Sequence, residues 1–395
     1  MDAHTDARSM VPYWRLSAYY FFYFAFIGAF SPYFSLYLKS LAFSAWDIGV
    51  LMSLMQLMRL VAPNLWGWLA DRIGAKTPIV RAAGLMSLVG FSSFFVATNF
   101  AGHFLGMALL AFFWSASLPL VEALTFSHLG VQAHRYSAVR LWGSVGFIAA
   151  VLGLGWLLDR LPLSSILWVS MALLAGILAF ALVLPEKPEP RHESDHLPIG
   201  DILRRREVRA LLAGCFFMSA AHGALYVFYS LYLVEHGYST SLVGLLWTLG
   251  VVAEIGVFIF MPRLLHAFSL RAMLLFSFGC AVLRFLMIGW GVEWLWLLVV
   301  AQLLHAATFG VHHASAIAAV NRWFAGRHQA RGQALYGSIS FGAGGMLGGL
   351  LSGWAWDVIG ASLTYTLGAG FALVGMVCIL RGWPANADQS LRTKR

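Results

Sequence analysis

Charged residues are scarce in this sequence of 395 residues. Asp, Glu, Lys and Arg make up 11% of it, whereas soluble domains contain about 25%. Apolar residues make up 60%, and the mean hydropathy is +0.76. This composition excludes a soluble globular enzyme, a disordered chain and a nucleic-acid-binding domain. Cysteine is scarce too, and its three residues all lie in apolar runs, which gives no disulfide framework.

Long apolar runs predict an all-α integral membrane protein with twelve spans. The first span is too long and too rich in tyrosine for a cleaved signal peptide. The predicted spans are 13–38, 47–69, 78–98, 103–127, 137–158, 164–184, 209–234, 241–262, 271–290, 294–319, 332–356 and 362–381.

The basic residues predict how the spans are oriented. With the N-terminus inside, 22 of the 26 Lys and Arg residues lie at the cytoplasmic side. Only Lys39 and Arg160 then lie outside, while Arg59 and Arg284 lie within the membrane. Because cytoplasmic loops carry the excess of basic residues, we expect both termini to be cytoplasmic.

A hydrophilic stretch divides the chain into two halves. We expect a six-helix bundle at 1–184, a cytoplasmic linker at 185–208 with a short basic helix near Asp201–Arg206, and a second bundle at 209–395. The halves are related by a repeat. An offset of 195 aligns Gly28 with Gly223, Gly49 with Gly244, and Arg59 with Glu254; further along, the segment 155–159 resembles 353–357. Parallel repeats are typical of transporters that rock one half against the other around a central site.

Two ionisable residues face each other across the loop between spans four and five. Glu122 and Arg140 each lie one to one and a half turns from the cytoplasmic end of their helix, so the spacing allows them to pair. One interpretation is a structural ion pair. The other is a substrate-binding pair, in which the planar fork of Arg140 binds a carboxylate.

The second half carries a buried Glu, an Arg and several His residues. Glu254 lies in span eight and Arg284 in span nine, and Gln302, His305 and His312 share one predicted face of span ten. Ionisable groups inside a membrane are candidates for function by default. Glu254 can load and release a proton, and a nearby histidine can respond to its charge. A metal site at His312 and His313 is a weak alternative, because adjacent helical residues point about 100° apart.

The loop after span two carries the most specific motif. It reads Gly67-Trp-Leu-Ala-Asp71-Arg72-Ile-Gly74-Ala-Lys76 and resembles the G-x-L-A-D-R-x-G signature of the major facilitator superfamily, with an alanine where a basic residue is usual. We interpret it as a conformational latch in which Asp71 reaches a helix N-terminus or an Arg.

The buried charges resemble those of the lactose-permease-like branch of this superfamily, and the strings Val139–Ser144, Gly250–Glu254, Leu283–Phe285 and Gln302–Phe309 resemble its bacterial phenylpropionate permease family. This resemblance implies proton-linked uptake of an aromatic acid across a bacterial inner membrane. Span ten departs from lactose permease because it has no carboxylate, which leaves Glu254 as the expected proton carrier. The expected residues are Glu122, Arg140, Trp142, His222 and Tyr226 for substrate, Glu254, Arg284, His305 and His313 for proton coupling, and Gly67, Asp71, Arg72 and Gly74 for the latch.

The sequence therefore predicts a proton-coupled symporter of a small organic solute. It predicts no enzyme activity, cofactor, bound metal or nucleic-acid partner, and a monomer surrounded by membrane lipid. Sugars and nucleosides remain open as substrates, and so does efflux of a drug or metabolite by proton antiport. A receptor or scaffold on the same fold is a further alternative.

Overall fold

The computed structural model describes residues 11–187 and 199–384, which include the twelve predicted spans. All regular structure in these ranges is helical. The first half contains α1 (Tyr13–Ser40), α2 (Ala45–Ile73), α3 (Thr77–Ser92, extended by a 3-10 turn at Ser93–Phe95), α4 (Phe100–Leu129), α5 (Tyr136–Leu158) and α6 (Ser165–Val183). A 3-10 turn at Gly130–Arg135 joins α4 to α5.

The second half has the same number of spans, three of which are interrupted. A short helix at Gly200–Arg204 precedes it, where the sequence predicts a basic helix, and most of the linker lies outside the described residues. The spans are α7 (Arg206–Ala221 and Gly223–Glu235), α8 (Thr240–Ala267), α9 (Leu270–Trp290), α10 (Leu295–Leu303, a π-helix at Ala306–Val311, and His312–Trp323), α11 (Gln329–Gly337, a π-helix at Ser338–Gly344, and Gly345–Ile359) and α12 (Ala361–Gly382), with a 3-10 turn at Gly326–His328 before α11.

The predicted spans all coincide with helices. By length and hydropathy, eleven helices among the described residues are able to cross a membrane, because α4 and α5 are continuous through their 3-10 turn and count as one. Several helices extend a turn beyond their predicted ends; α2 ends at Ile73 and α8 at Ala267. The apolar runs end before these last turns, which contain polar residues, so the predicted spans are shorter than the helices.

The central helices of the two halves are α1 and α7, which are the most deeply buried. Each contacts its own half through a repeated glycine. A Cβ at Gly28 would lie 2.5 Å from the carbonyl oxygen of Phe147 in α5, and a Cβ at Gly223 would clash with the backbone of Gly348 in α11. Only glycine permits helix backbones to approach so closely.

The start of α1, the end of α12, the described residues that flank the linker and the α2–α3 loop share one end of the bundle, which we call the linker end. The opposite end, where α1 meets α2 and α7 meets α8, is the distal end. Arginines bind helix C-termini at the linker end: Arg81 donates to the carbonyl oxygens of Ala181 and Leu184, and Arg271 donates to that of Trp383. Such contacts satisfy carbonyl groups that a helix end leaves unbonded.

Candidate functional site

Arg284 lies at the centre of a polar cluster inside the second half, with 0% of its surface exposed. Its Nε donates to the carbonyl oxygen of Ala301 at 2.9 Å, and its Nη2 donates to Gln302 Oε1 at 3.2 Å. Its Nη1 lies 3.0 Å from Thr308 Oγ1, 3.1 Å from His305 Nδ1 and 3.4 Å from His222 Nε2. All of these partners are uncharged acceptors, so the guanidinium keeps its positive charge without a carboxylate in contact.

This network fixes the protonation of two histidines. Arginine only donates hydrogen bonds, so His305 Nδ1 and His222 Nε2 can bond to Arg284 only as acceptors, and they share the two hydrogens of Nη1 with Thr308 Oγ1. The hydrogen of His222 then lies on Nδ1, which donates to the carbonyl oxygen of Met218 at 2.8 Å. The hydrogen of His305 lies on Nε2. Both rings are therefore neutral while they contact Arg284.

Glu254 meets this cluster through His305. Its Oε2 lies 3.6 Å from His305 Nε2, the nitrogen that carries the hydrogen. Gly310, in the π-helix of α10, packs beside the glutamate, since a Cβ there would lie at a contact distance of 3.4 Å from Glu254 Cγ. The structure thus brings Glu254, His305 and Arg284 into one chain of contacts, as the sequence predicts. It adds His222 to that chain on the far side of Arg284.

The predicted pairing of Glu122 with Arg140 is not formed. Glu122 instead accepts a hydrogen bond from the Tyr136 hydroxyl at 3.0 Å, and no salt bridge joins it to Arg140 among the described residues. The Arg140 guanidinium lies over the ring of Phe24, with its Cζ 3.7 Å from the centroid. Tyr136 lies one turn before Arg140 on α5, so it occupies the carboxylate while the arginine turns toward α1.

Arg140 connects the two halves electrostatically. Its charge acts on the carboxylates of both Glu122 in its own half and Glu254 in the other. Arg59 in α2 similarly acts on Tyr23 and Tyr226, one from each half. Two cations from the first half, Arg59 and Arg140, therefore lie near ionisable side chains of both halves.

Aromatic rings form a column along α10. His305 stacks on Phe309 at 5.4 Å between centroids, and Phe309 stacks on His313 at 5.8 Å. His313 Nδ1 then lies 2.9 Å from the Tyr336 hydroxyl of α11. The predicted face with His312 beside His305 is wrong at its last position, because His312 instead contacts Phe278 of α9 edge-on. A π-turn holds more residues than an α-turn, so the π-helix at Ala306–Val311 brings His313 into line.

Two other predicted substrate residues lie in different surroundings. Tyr226 stacks on His222 at 5.7 Å and on Trp247 at 6.3 Å, beside the Arg284 cluster. Trp142 instead donates to the Tyr13 hydroxyl at 3.2 Å and packs edge-on against the exposed Trp14. Trp142 therefore packs at the start of α1, away from Glu254 and Arg284.

The α2–α3 loop has its expected turn and an unexpected partner. Gly74 ends α2 with a positive φ of 73°, and Arg72 lies over the Trp68 ring. Asp71 does not reach the N-terminus of α3. That position belongs to Glu186, which accepts from the backbone N–H groups of Lys76 at 2.9 Å and Thr77 at 2.6 Å.

Asp71 and Gly67 instead line a cavity of about 200 Å³ beside α4. Neither Glu186 nor Tyr136 was predicted from the sequence. The available signals were an acid three residues after the end of α6 and a tyrosine four residues before Arg140.

Comparisons with known proteins agree with this architecture. The model of the MFS_1 like family matches residues 13–367. The chain is 31% identical over 358 residues to the probable 3-phenylpropionic acid transporter of Escherichia coli K12, covering 88% of this chain and 92% of that protein. It is 27% identical over 368 residues to maltose permease of Geobacillus stearothermophilus, covering 92% of each.

The crystal structure of a mutant of the nucleoside transporter NupG superposes with a TM-score of 0.85 at 17% identity, covering 94% of this chain and 100% of that one. These similar proteins are transporters, not enzymes, and they carry small solutes. The chain belongs to the MFS_1 like family of the major facilitator superfamily, and its helices and relatives identify it as a multi-pass membrane transporter.

Proposed function

We propose that this transporter takes up a small aromatic carboxylate together with a proton. The observation that carries the proposal is the position of Arg140. Its guanidinium lies over the ring of Phe24 and forms no salt bridge with a described residue, and its charge reaches the carboxylates of Glu122 and Glu254. A cation in this position has a carboxylate-binding fork to offer a substrate. The name of the 31% identical relative, which refers to 3-phenylpropionic acid, supports the same substrate class.

Proton coupling is assigned to Glu254. A nearby cation favours the ionised form of a carboxylate, so the charge of Arg140 opposes protonation of Glu254. A substrate carboxylate on Arg140 would neutralise that charge and make proton binding at Glu254 more favourable. By linkage, a proton on Glu254 would favour substrate binding to the same extent. The pair would then cross the membrane without net charge.

We assign roles to the remaining site residues from the contacts that they make. Glu122 lies near Arg140 and Tyr226 near Arg59, so we assign them a polar contact and a ring contact with the substrate. His222 acts through Arg284, which in turn holds His305 neutral. The column of His305, Phe309 and His313 offers stacking surfaces for an aromatic ring. Trp142 has no role at the substrate in this proposal, because it contacts Tyr13 and Trp14 at the start of α1.

Orientation and gating complete the proposal. Arginines at the linker end support cytoplasmic termini in a bacterial inner membrane. The two halves at 1–184 and 209–395 would rock as units around the site, in a monomer surrounded by lipid. Gly67, Asp71, Arg72 and Gly74 would form the latch at the cytoplasmic end, next to the helix terminus bound by Glu186.

A nucleoside or sugar symporter is the second candidate. The fold is similar to that of the nucleoside transporter NupG, and a relative is named maltose permease. The stacked column would suit a nucleobase as well as a phenyl ring. Efflux by proton antiport uses the same coupling residues and differs in the direction of transport.

The test is transport by purified protein in liposomes with an imposed pH gradient. Radiolabelled phenylpropionate, a nucleoside and maltose are compared, each corrected for flux in protein-free liposomes. We expect phenylpropionate uptake that follows the proton gradient and is lost in Arg140→Gln. The control is Arg263→Gln, an exposed arginine near the linker end of α8. Faster transport of a solute without a carboxylate would contradict the proposal, and so would substrate extrusion against the proton flow.

A further inference from the structure

The two halves are joined at the distal end by an aspartate from each. Asp159, directly after α5, accepts from the backbone N–H of Thr240 at 2.8 Å and from that of Ser241 at 3.2 Å, at the start of α8. Asp357, near the end of α11, accepts from the backbone N–H groups of Ala45 at 3.3 Å and Trp46 at 3.0 Å, at the start of α2. Each half thus binds the first turn of the other half's second helix.

The chemistry of these contacts is favourable and reversible. The first N–H groups of a helix have no partner inside it, and the helix N-terminus carries partial positive charge. A carboxylate accepts hydrogen bonds from these N–H groups, and its negative charge is attracted to the positive helix end. Water can replace it when the halves separate, because both helix starts lie at the end of the bundle. A contact of this kind can therefore close and open repeatedly.

Glycines bring the backbones together at the same places. A Cβ at Gly155 would lie 2.6 Å from the carbonyl oxygen of Thr240, and one at Gly244 would lie 2.8 Å from that of Val151. On the other side, a Cβ at Gly49 would lie 2.9 Å from the Cα of Gly353. The helices of opposite halves are in direct backbone contact beside each aspartate.

These contacts coincide with the matches of the sequence repeat. Gly49 aligns with Gly244, and the segment with Gly155 and Asp159 resembles the segment with Gly353 and Asp357. These repeated residues at the distal end therefore form a seam between the halves. The two sides differ in one respect: Thr240 and Ser241 donate to Asp159 with their hydroxyls as well, whereas Ala45 and Trp46 offer only backbone.

We propose that Asp159 and Asp357 are paired latches that hold the distal end closed and release when the central site opens to that side. The Asp159 latch is the stronger because it has more donors. It is not a pH sensor. Partial burial raises the pKa of Asp159, but hydrogen bonds from Ser241 and Thr240 outweigh this, so the pKa lies below its usual value of 3.8. The carboxylate stays ionised throughout the physiological range.

The test measures the distance between the halves at the distal end. Spin labels are placed at Lys39 and Glu293, which are exposed and lie on opposite halves, after the three native cysteines are replaced by alanine. Pulsed electron paramagnetic resonance then gives the populations of short and long distances. We expect Asp159→Asn to raise the long-to-short ratio on the order of tenfold, the usual effect of losing a charge-assisted hydrogen bond. Asp357→Asn should raise it less.

A matched control and a second variant keep the result decisive. Glu235→Gln changes an exposed carboxylate at the same end and should leave the distances unchanged. Ser241→Ala removes one donor, keeps the aspartate, and should shift the ratio in the same direction as Asp159→Asn. If thermal stability falls in Asp159→Asn while the distances stay as in the wild type, the contacts are static and the proposal is wrong. An equal shift in Glu235→Gln would also overturn it.

Discussion

Replacement of Glu254 by glutamine tests the coupling mechanism most directly. Glutamine preserves the shape and the polar contact with His305 but carries no titratable proton. His305 cannot take over, because Arg284 donates to its Nδ1 and so keeps the ring neutral. We therefore expect Glu254→Gln to abolish accumulation driven by a pH gradient, while exchange of labelled for unlabelled substrate continues.

The expected difference in accumulation follows from the number of protons transported with each substrate anion. A gradient of two pH units supplies about 2.7 kcal/mol per proton. With one proton per substrate anion and no membrane potential, that energy allows about 100-fold accumulation. Without coupling the limit is equal concentration on both sides. Wild type and Glu254→Gln should thus differ by up to two orders of magnitude in accumulation but by little in exchange.

The assay uses liposomes in which potassium and valinomycin hold the membrane potential at zero. Protein-free liposomes are subtracted, since a small protonated acid also crosses the bilayer unaided. Glu122→Gln is the matched control, because it makes the same substitution at a buried carboxylate of the other half. That variant should weaken substrate binding and retain gradient-driven accumulation. Accumulation retained in Glu254→Gln but lost in Glu122→Gln would refute the reasoning.

Three further predictions concern packing and the helix ends. Gly244→Ala should shift the distal spin-label distances toward the long population by placing a methyl group against α5, whereas Gly256→Ala, which has open space around it in the same helix, should not. Arg284→Lys should lower the unfolding temperature and stop transport, because lysine leaves several buried acceptors unbonded at about 1–3 kcal/mol each, as thermal melts and uptake can show. Glu186→Gln should destabilise the start of α3 by about 1 kcal/mol, measured by thermal unfolding, and an unchanged melting curve would contradict that role.

The sequence predicted the helices well because a membrane imposes a strong pattern. Charges and turn residues interrupt apolar runs of nearly constant length, so all twelve spans were found. It also grouped Glu254, Arg284 and His305 in one candidate set, since each lies in a different helix of one half and few other charges are available. Arg284 and His305 contact each other, as expected, and Glu254 lies beside His305.

The errors concern side-chain direction within correctly placed helices. Glu122 and Arg140 lie at a similar depth in the membrane. The rotation of α5 about its axis, however, places Tyr136 in contact with the carboxylate and turns the guanidinium toward Phe24. On α10, a period of 3.6 residues predicts His312 beside His305, and the π-helix replaces it with His313. Neither the rotation of a helix nor a π-turn changes the hydropathy pattern of a sequence, so residue types alone did not predict these contacts.

The sequence repeat distinguishes residues that pack one half against the other from residues proposed to bind substrate and proton. Gly49 and Gly244 are aligned and do the same work at the distal seam, since each packs against the opposite half. Arg59 and Glu254 are also aligned, yet they carry opposite charges, and both charges act on Tyr226. Two halves that rock about one axis need matching contacts on both sides of it. A site that holds one anion and one proton needs the reverse, a cation from one half and a carboxylate from the other. At the distal end, matching residues of the repeat therefore indicate closure, and the aligned pair that differs in charge indicates the site.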